Sequence, residues 1–284
     1  MNLLEAIEVR RSRRKYLPTP ISADTRNKLE ELAKEYSATA NIRIEFVWND
    51  GSAFNGLRKS YGMFSGVQNY LGLIADKNNI AAIEMLGYYG ELLLLHAVAL
   101  GLGTCWVGGS FDRKSCPFSL SGEEMVICTI TLGSTNEQDS FKEKLIRGLV
   151  HRKTKTAAEM MASDGPAPDW FMAGMQAVQK APSAVNRQPV RFRYKGGKVM
   201  AEVENKNDAG SMLDLGIAKL HFELGARCGK WSFGKDAGFF LLDYSSLSKE
   251  QFDNEIEKGF ASMGMGKTIS AMEVRENMQR QYKS

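Results

Sequence analysis

Two stretches of this chain echo one another, and that echo constrains the fold more than any other feature. Residues 90–109 read GELLLLHAVALGLGTCWVGG and residues 215–234 read LGIAKLHFELGARCGKWSFG. Aligned without a gap, they set His96 on His221, Trp106 on Trp231 and Gly109 on Gly234. A weaker echo precedes each: SATAN at 37–41 and PSAVN at 182–186. Each follows a helical stretch (KLEELAKEY; WFMAGMQAVQK) and leads into an alternating, strand-like one (IRIEFVW; VRFRYKGGKVMAEV). Two echoes in the same order point to a duplication. The expected halves are 1–160 and 166–284, joined by the glycine- and proline-punctuated ASDGPAPD at 162–169.

Residues 88–100 are apolar nearly all round, which is the pattern of a centrally buried helix rather than an amphipathic surface one. One such helix per half, packed against its counterpart, would form the core of an internal pseudo-dimer. Strands are expected at 42–48, 69–75, 125–132, 190–194, 198–204 and 238–243 with helices between them. That mixture favours an α+β, three-layer fold over a barrel. A length of 284 residues with 43% hydrophobic side chains can bury a core of that size. The run LLLLHAVALGLGTCWVGG at 92–109 carries a histidine and four glycines, and reads as a buried helix entering a strand, not a membrane span. MNLLEAIEVRR lacks a signal-peptide layout, and Cys105, Cys116, Cys128 and Cys228 form no CxxC pair. A reducing cytoplasm with free thiols is the expectation.

A formal charge of +4 and a pI near 8.7 leave room for an anionic partner without implying nucleic acid. The charge is concentrated in VRRSRRKYLPTP at 9–20, with five basic side chains between Arg10 and Lys15. Guanidinium groups match phosphate oxygens and Ser12 adds a hydroxyl, so a phosphate site, a solvated basic face and a nucleic-acid arm all fit. Alternation within RRSRR would let some side chains face a ligand while others stay in solvent. HRKTKTAAEM at 151–160 is a second basic segment, either closing on the same phosphate or edging the linker. APSAVNRQPVRF at 181–192 sets Ser183, Asn186 and Gln188 among alanines and prolines. This suits a polyhydroxyl chain or a heterocycle edge, and equally a capped turn entering a strand. TCWVGG at 104–109 offers close backbone approach at its glycines, while Trp106, His96 and His221 read more simply as core. GSAFNGLRKSYGMFSGV at 50–66 fits a mobile flap or a plain surface loop.

Several chemistries lack their signatures. MGMGKT at 263–268 ends like a phosphate-binding loop, but Ala261 stands where that motif needs glycine. The three histidines have no metal-ligand spacing, and no G-x-S-x-G elbow occurs.

Taken together, RRSRRKY at 10–16, LGLGTCWVGG at 100–109, HRKTKT at 151–156 and APSAVNRQPVRF at 181–192 resemble the FMN-dependent nitroreductase family. The resemblance implies an α+β subunit that normally dimerises, with FMN held by both subunits. The motif order here departs from the usual one. The first half has the arginine motif, WVGG and the basic end, but only the degenerate SATAN. The second half has an intact PSAVNRQP and no arginine motif. This division is similar to the single-chain branch of the family, in which two fused halves mimic the dimer, and it implies one FMN site in a monomer. By that resemblance Arg10 and Ser12 contact the phosphate or ribityl region and Arg14 the pyrimidine edge, which leaves Arg11, Arg13 and Lys15 as the solvated side. Arg152, Lys153 and Lys155 form the phosphate-binding end. Pro182, Ser183, Asn186 and Gln188 supply what a partner subunit normally brings, and the backbone of Gly108 and Gly109 lies near flavin N5. Some family members have glutamate where this chain has Gly108. The implied activity is hydride transfer from NADH or NADPH through FMN to a small electron-poor acceptor such as a nitroaromatic or quinone, with no nucleic acid, metal or membrane involved and no side-chain acid–base pair required. A flavin-binding or storage protein with little turnover, and a basic nucleic-acid binder, are the alternatives.

Overall fold

The computed structural model describes residues 1–54, 62–136, 143, 154–233 and 237–241. Six helices, α1 to α6, and nine strands, β1 to β9, fall within them. Helix α1 (Leu3–Val9) opens with a reciprocal cap between Asn2 and Glu5. Helix α2 (Ala23–Ala40) starts from the Ser22 side chain and ends on Asn41 in the left-handed region at φ 50°. Strands β1 (Arg43–Val47), β2 (Asn69–Asp76), β3 (Gly103–Val107) and β4 (Glu124–Gly133) form an antiparallel sheet of order β1-β2-β4-β3. Helix α3 (Ile80–Ala99) separates β2 from β3.

The second sheet repeats this plan. After the short α4 (Ala157–Met160) and β5 (Met161–Ser163) come α5 (Asp169–Val178), β6 (Val190–Lys195), β7 (Lys198–Val203), α6 (Ala209–Ala226), β8 (Gly229–Trp231) and β9 (Phe239–Leu241). The order is β5-β6-β7-β9-β8, which is the order of the first sheet with β5 added in parallel on the edge. Gly196 and Gly197, both at positive φ, close the β6–β7 hairpin in the manner of a two-residue turn. The expected linker therefore does more than connect, because Ala162 and Ser163 belong to β5 and pair with Arg193 and Tyr194. The six expected strands correspond to β1, β2, β4, β6, β7 and β9, whereas β5 and β8 are not among them. Residues 242–243 of the expected last strand lie outside the described residues, as do Gly234 and MGMGKT.

The sheets enclose a helical layer in which α3 and α6 cross. Two glycines let them do so at backbone contact. A methyl on Gly87 would lie 2.3 Å from the Leu213 carbonyl oxygen, and one on Gly216 would lie 2.0 Å from that of Glu84. Both helices are apolar on nearly every face, so they bury leucine, isoleucine and phenylalanine against each other and both sheets. By length and composition α3 is apolar enough to cross a membrane, yet 67% of that stretch is buried inside the protein.

The polar groups of this layer are paired, as buried charges must be. Lys219 meets Glu84 at 2.5 Å and lies over the Trp231 ring. Tyr88 donates to Glu223 at 2.8 Å. Glu91 takes the Trp106 indole N–H at 2.6 Å and faces His221 Nε2 at 2.9 Å. His221 is thus packed, as expected, but through a polar chain. His96 is only half-buried, beside Tyr36, and burial lowers its pKa. The two echoed histidines therefore occupy different surroundings.

The outer faces differ. Tyr16, Phe54, Phe64, Val67, Tyr70 and Phe111 cover the far side of the first sheet, and β2 is buried from Asn69 to Ala75. The described ends of the 50–66 segment join this cluster through Phe54 and Phe64, and residues 55–61 lie outside the described residues. The second sheet leaves Arg191, Arg193, Met200 and Phe240 in solvent.

Candidate functional site

Helix α1 ends at Arg10, and the chain then runs extended along the edge of the first sheet. Ser12 bridges Thr104, Arg13 N–H donates to the Thr104 carbonyl at 2.8 Å, and Tyr16 N–H donates to that of Ser65 at 3.0 Å. Extended backbone sends alternate side chains to opposite sides. Ser12 hydrogen-bonds the Cys105 thiol of β3, and the Arg10 and Arg14 charges act on that thiol. Burial pushes that thiol's pKa up, while the Arg14 charge, a hydrogen bond with Ser12 and the Arg10 charge oppose the rise. The Arg10 Nε atom is buried with no hydrogen-bond partner, and so is Thr104 Oγ1. A desolvated cationic donor without an acceptor is costly, and it is the kind of group an anion satisfies.

The other side of the segment corrects the sequence reading in one respect. Arg11 and Lys15 are exposed as expected, but Arg13 is buried, with its Nε 3.3 Å from Glu143 Oε1. The same oxygen accepts the backbone N–H of Arg14 at 2.7 Å and of Lys15 at 3.3 Å. Arg13 is held inside because a carboxylate 130 residues away in sequence neutralises it. The Tyr16 hydroxyl then locks the segment down by donating to the Arg13 carbonyl and sharing a hydrogen bond with Thr131.

Strand β3 runs from Gly103 to Val107 and releases Gly108 and Gly109 into solvent, where an added methyl would meet nothing within 4 Å. The Gly108 carbonyl accepts from Arg113 at 2.8 Å, which leaves the backbone at this strand end fixed and its surface open.

The third component is the turn between α5 and β6. Pro182 has no N–H and biases Ala181 away from helix, so the chain cannot continue α5. Val185, Asn186 and Gln188 all adopt positive φ, at 47°, 52° and 46°. Such a conformation is strained for a β-branched residue and needs support. Ser183 Oγ accepts the Gln188 N–H at 2.9 Å. The Gln188 side chain accepts the Lys155 N–H at 2.8 Å and donates to the Gln179 carbonyl at 3.1 Å. Lys155 Nζ donates to the Gln188 carbonyl at 2.9 Å, and Gln179 donates to the Lys155 carbonyl. Gln188 is 5% exposed with both ends of its amide committed, so it braces the turn from behind. Ser183 and Asn186 are half-buried on it. Lys155 joins this turn, whereas Arg152 and Lys153 lie outside the described residues.

Sequence reasoning missed Asp214, on α6, which accepts the Ala184 N–H with both carboxylate oxygens, at 3.2 and 3.3 Å. Burial among apolar side chains raises its pKa from 3.8 to about 7 against the opposing pull of that hydrogen bond and of Arg187. An acidic residue inside the apolar SMLDLGIA was the available signal. An ion pair joins Glu8, two residues before Arg10, to Lys180, two before Pro182. Both partners are largely exposed, so the pair records proximity more than it adds stability. Among the described residues no cluster of histidine, cysteine and acidic groups could hold a metal ion.

The model of a family described as "Putative TM nitroreductase" matches residues 2–226. A crystal structure described as a "putative nitroreductase" from Thermotoga maritima is 23% identical, with a TM-score of 0.54. The match covers 84% of this chain and 92% of that one, and it shows a shared fold. An "FMN-dependent Nitroreductase" from Clostridium difficile is 20% identical over 53% of this chain and 98% of its own, with a TM-score of 0.38. A protein from Desulfovibrio desulfuricans, described as a "putative nitroreductase in complex with fmn", is 19% identical over 51% of this chain and 96% of its own, with a TM-score of 0.37. No curated protein matches the chain.

Proposed function

This chain belongs to the family described as "Putative TM nitroreductase", and from that premise we propose that it is an FMN-dependent oxidoreductase of the nitroreductase type. When bound, FMN supplies the chemistry, taking a hydride from NADH or NADPH and passing it to a small electron-poor acceptor such as a nitroaromatic or quinone. The observation that carries this reading is the Arg10 Nε, buried with no hydrogen-bond partner, on a segment where the Arg10 and Arg14 charges and the Ser12 hydroxyl all act on the Cys105 thiol. Two guanidinium groups and a hydroxyl suit a phosphate and the polar edge of a flavin. Arg10 and Ser12 hold the phosphate and ribityl end. Arg14 faces the pyrimidine edge, where a positive charge favours negative charge on the ring. Gly108 and Gly109 leave room for a flat ring over exposed backbone, and Ser183 and Asn186 close the site from the turn. Lys155 and Gln188 support that turn.

Two fused nitroreductase-like halves, 1–160 and 166–284, account for the architecture. Support comes from the common strand order of the two sheets and from the reciprocal crossing, in which Gly87 meets Leu213 and Gly216 meets Glu84. The arginine segment occurs once in the sequence and the strained turn once among the described residues, so the reading gives one flavin per chain and a monomer. The four free cysteines suit a cytoplasmic protein. Nucleic acid has no part in this reading.

The test is spectroscopic. The purified protein is expected to be yellow or to turn yellow with added FMN, and to bleach anaerobically with NADH or NADPH. A protein that ignores FMN would overturn the reading. Bound flavin that neither nicotinamide reduces would favour the storage alternative.

A further inference from the structure

We propose that Asp214 is a positioning residue: its carboxylate, bonded to the Ala184 N–H, holds the 183–188 turn in the strained form that presents Ser183 and Asn186. The proposal deepens the flavin-site reading and rests on it for the identity of what the turn presents. The turn's own conformation provides the first argument. Three non-glycine residues at positive φ within four positions do not persist unless their surroundings impose them. Gln188 fixes the far end through Lys155 and Gln179. At the near end, the Ala184 N–H has Asp214 as its acceptor, shared between both carboxylate oxygens.

The second argument is cost. Asp214 is 5% exposed and borders a small cavity behind the turn with Met160, Val178, Val190 and Ala218, an apolar wall that does nothing for a carboxylate. A leucine would fit there more cheaply but could accept no hydrogen bond, so the acid is explained by what it holds. The charged groups that face it are Arg187 and Asp208, one favouring and one opposing ionisation, with the Cys128 thiol of β4 also within its field. The raised pKa, about 7, places the change between a strong ionised acceptor and a weaker neutral one near neutrality. The hold is therefore firm at pH 8 and slack at pH 5.5.

Hydrogen exchange at the Ala184 amide, followed in the full-length protein without flavin, tests the hold directly. Protection in the unsubstituted protein should fall roughly tenfold from pH 8 to pH 5.5 after correction for intrinsic rates. Asp214→Asn should remove that pH dependence and Asp214→Ala should abolish the protection. FMN titration by fluorescence should show affinity weakened about five- to tenfold in Asp214→Asn at pH 8, with little change at pH 5.5. Ala184 protection that is indifferent to pH and to both substitutions would overturn the proposal. Loss of protection with unchanged FMN affinity would overturn its second half, that the turn presents ligand groups. If no variant binds FMN while the exchange results hold, the flavin reading fails and the hold stands. The pH series needs no substitution, so a variant that misfolds does not remove the test.

Discussion

The two junctions that lead from a helix into the first strand of each sheet are built in opposite ways. Helix α2 runs through Ser37, Ala38, Thr39 and Ala40, stops on Asn41, and β1 begins at Arg43. Helix α5 stops at Val178, and residues 179–189 intervene before β6. The two segments carry similar sequences, SATAN and PSAVN, but Pro182 forbids helix where Ser37 allows it. In the first junction the αL residue is an asparagine at a helix end, a low-cost place for it. In the second, αL conformations fall on Val185, Asn186 and Gln188, held by Lys155, Gln179 and Asp214. One junction completes the frame, and the other stores strain where ligand groups are offered.

The comparison breaks most sharply if the second junction is made like the first. Replacing residues 179–189 with the dipeptide Asn-Ile should abolish flavin retention altogether, read from the absorbance of the purified protein. Retained flavin would mean the turn is no part of the site. Next in size is a pair of glycine substitutions that separate frame from site. Gly216→Ala should lower stability by about 3 kcal/mol, because its methyl meets backbone at 2.0 Å. Gly108→Ala, opening onto empty space, should change stability by less than about 0.5 kcal/mol. Urea unfolding of both checks the contrast.

Arg10→Ala should weaken FMN binding by about 1.5–3 kcal/mol, or roughly 10- to 150-fold, while Arg11→Ala leaves it unchanged. Equal effects would dissolve the two-sided reading of the arginine segment. A pH effect follows from Asp214. Its folded pKa, about 7, lies above the ordinary 3.8, so between those values the folded protein keeps a proton that the unfolded chain has released. That contribution is fully present only below pH 3.8 and is lost as pH rises toward 7. Asp214→Asn should therefore gain on the unsubstituted protein at pH 8 and gain least at the acid end of the series in urea midpoints. The smallest expected change is Val185→Gly, which frees a β-branched residue from φ 47° and should stabilise the fold by up to about 1 kcal/mol in thermal unfolding.

Much of this was legible in the chain. The strands at 43–47, 69–76, 124–133, 190–195 and 198–203 follow from alternation and apolar runs, and the burial of α3 follows from its all-round apolarity. That side chains would alternate along RRSRR was legible too, while the choice of Arg10, Ser12 and Arg14 as the ligand side came from the family resemblance. The ungapped echo was less faithful. It pairs His96 with His221, but the helix caps Asn79 and Asp208, and the crossing glycines Gly87 and Gly216, stand about one helical turn further apart in sequence than the tryptophans do. A helix can lose a turn and keep its packing, and a gapless comparison cannot register that.

By itself, then, the sequence determined the periodicities, the stops and the one concentrated patch of cationic donors. These are local properties, set by backbone geometry and side-chain type within a few residues. Only the tertiary structure decided which groups those donors leave free. Arg13 is withdrawn by Glu143, Gln188 is spent on Lys155 and Gln179, and β5 crosses to the second sheet. Asp214 is carried beneath a turn some thirty residues away. Buried polar groups must find partners wherever the fold brings them, and partners that far apart in the chain leave no local pattern to read.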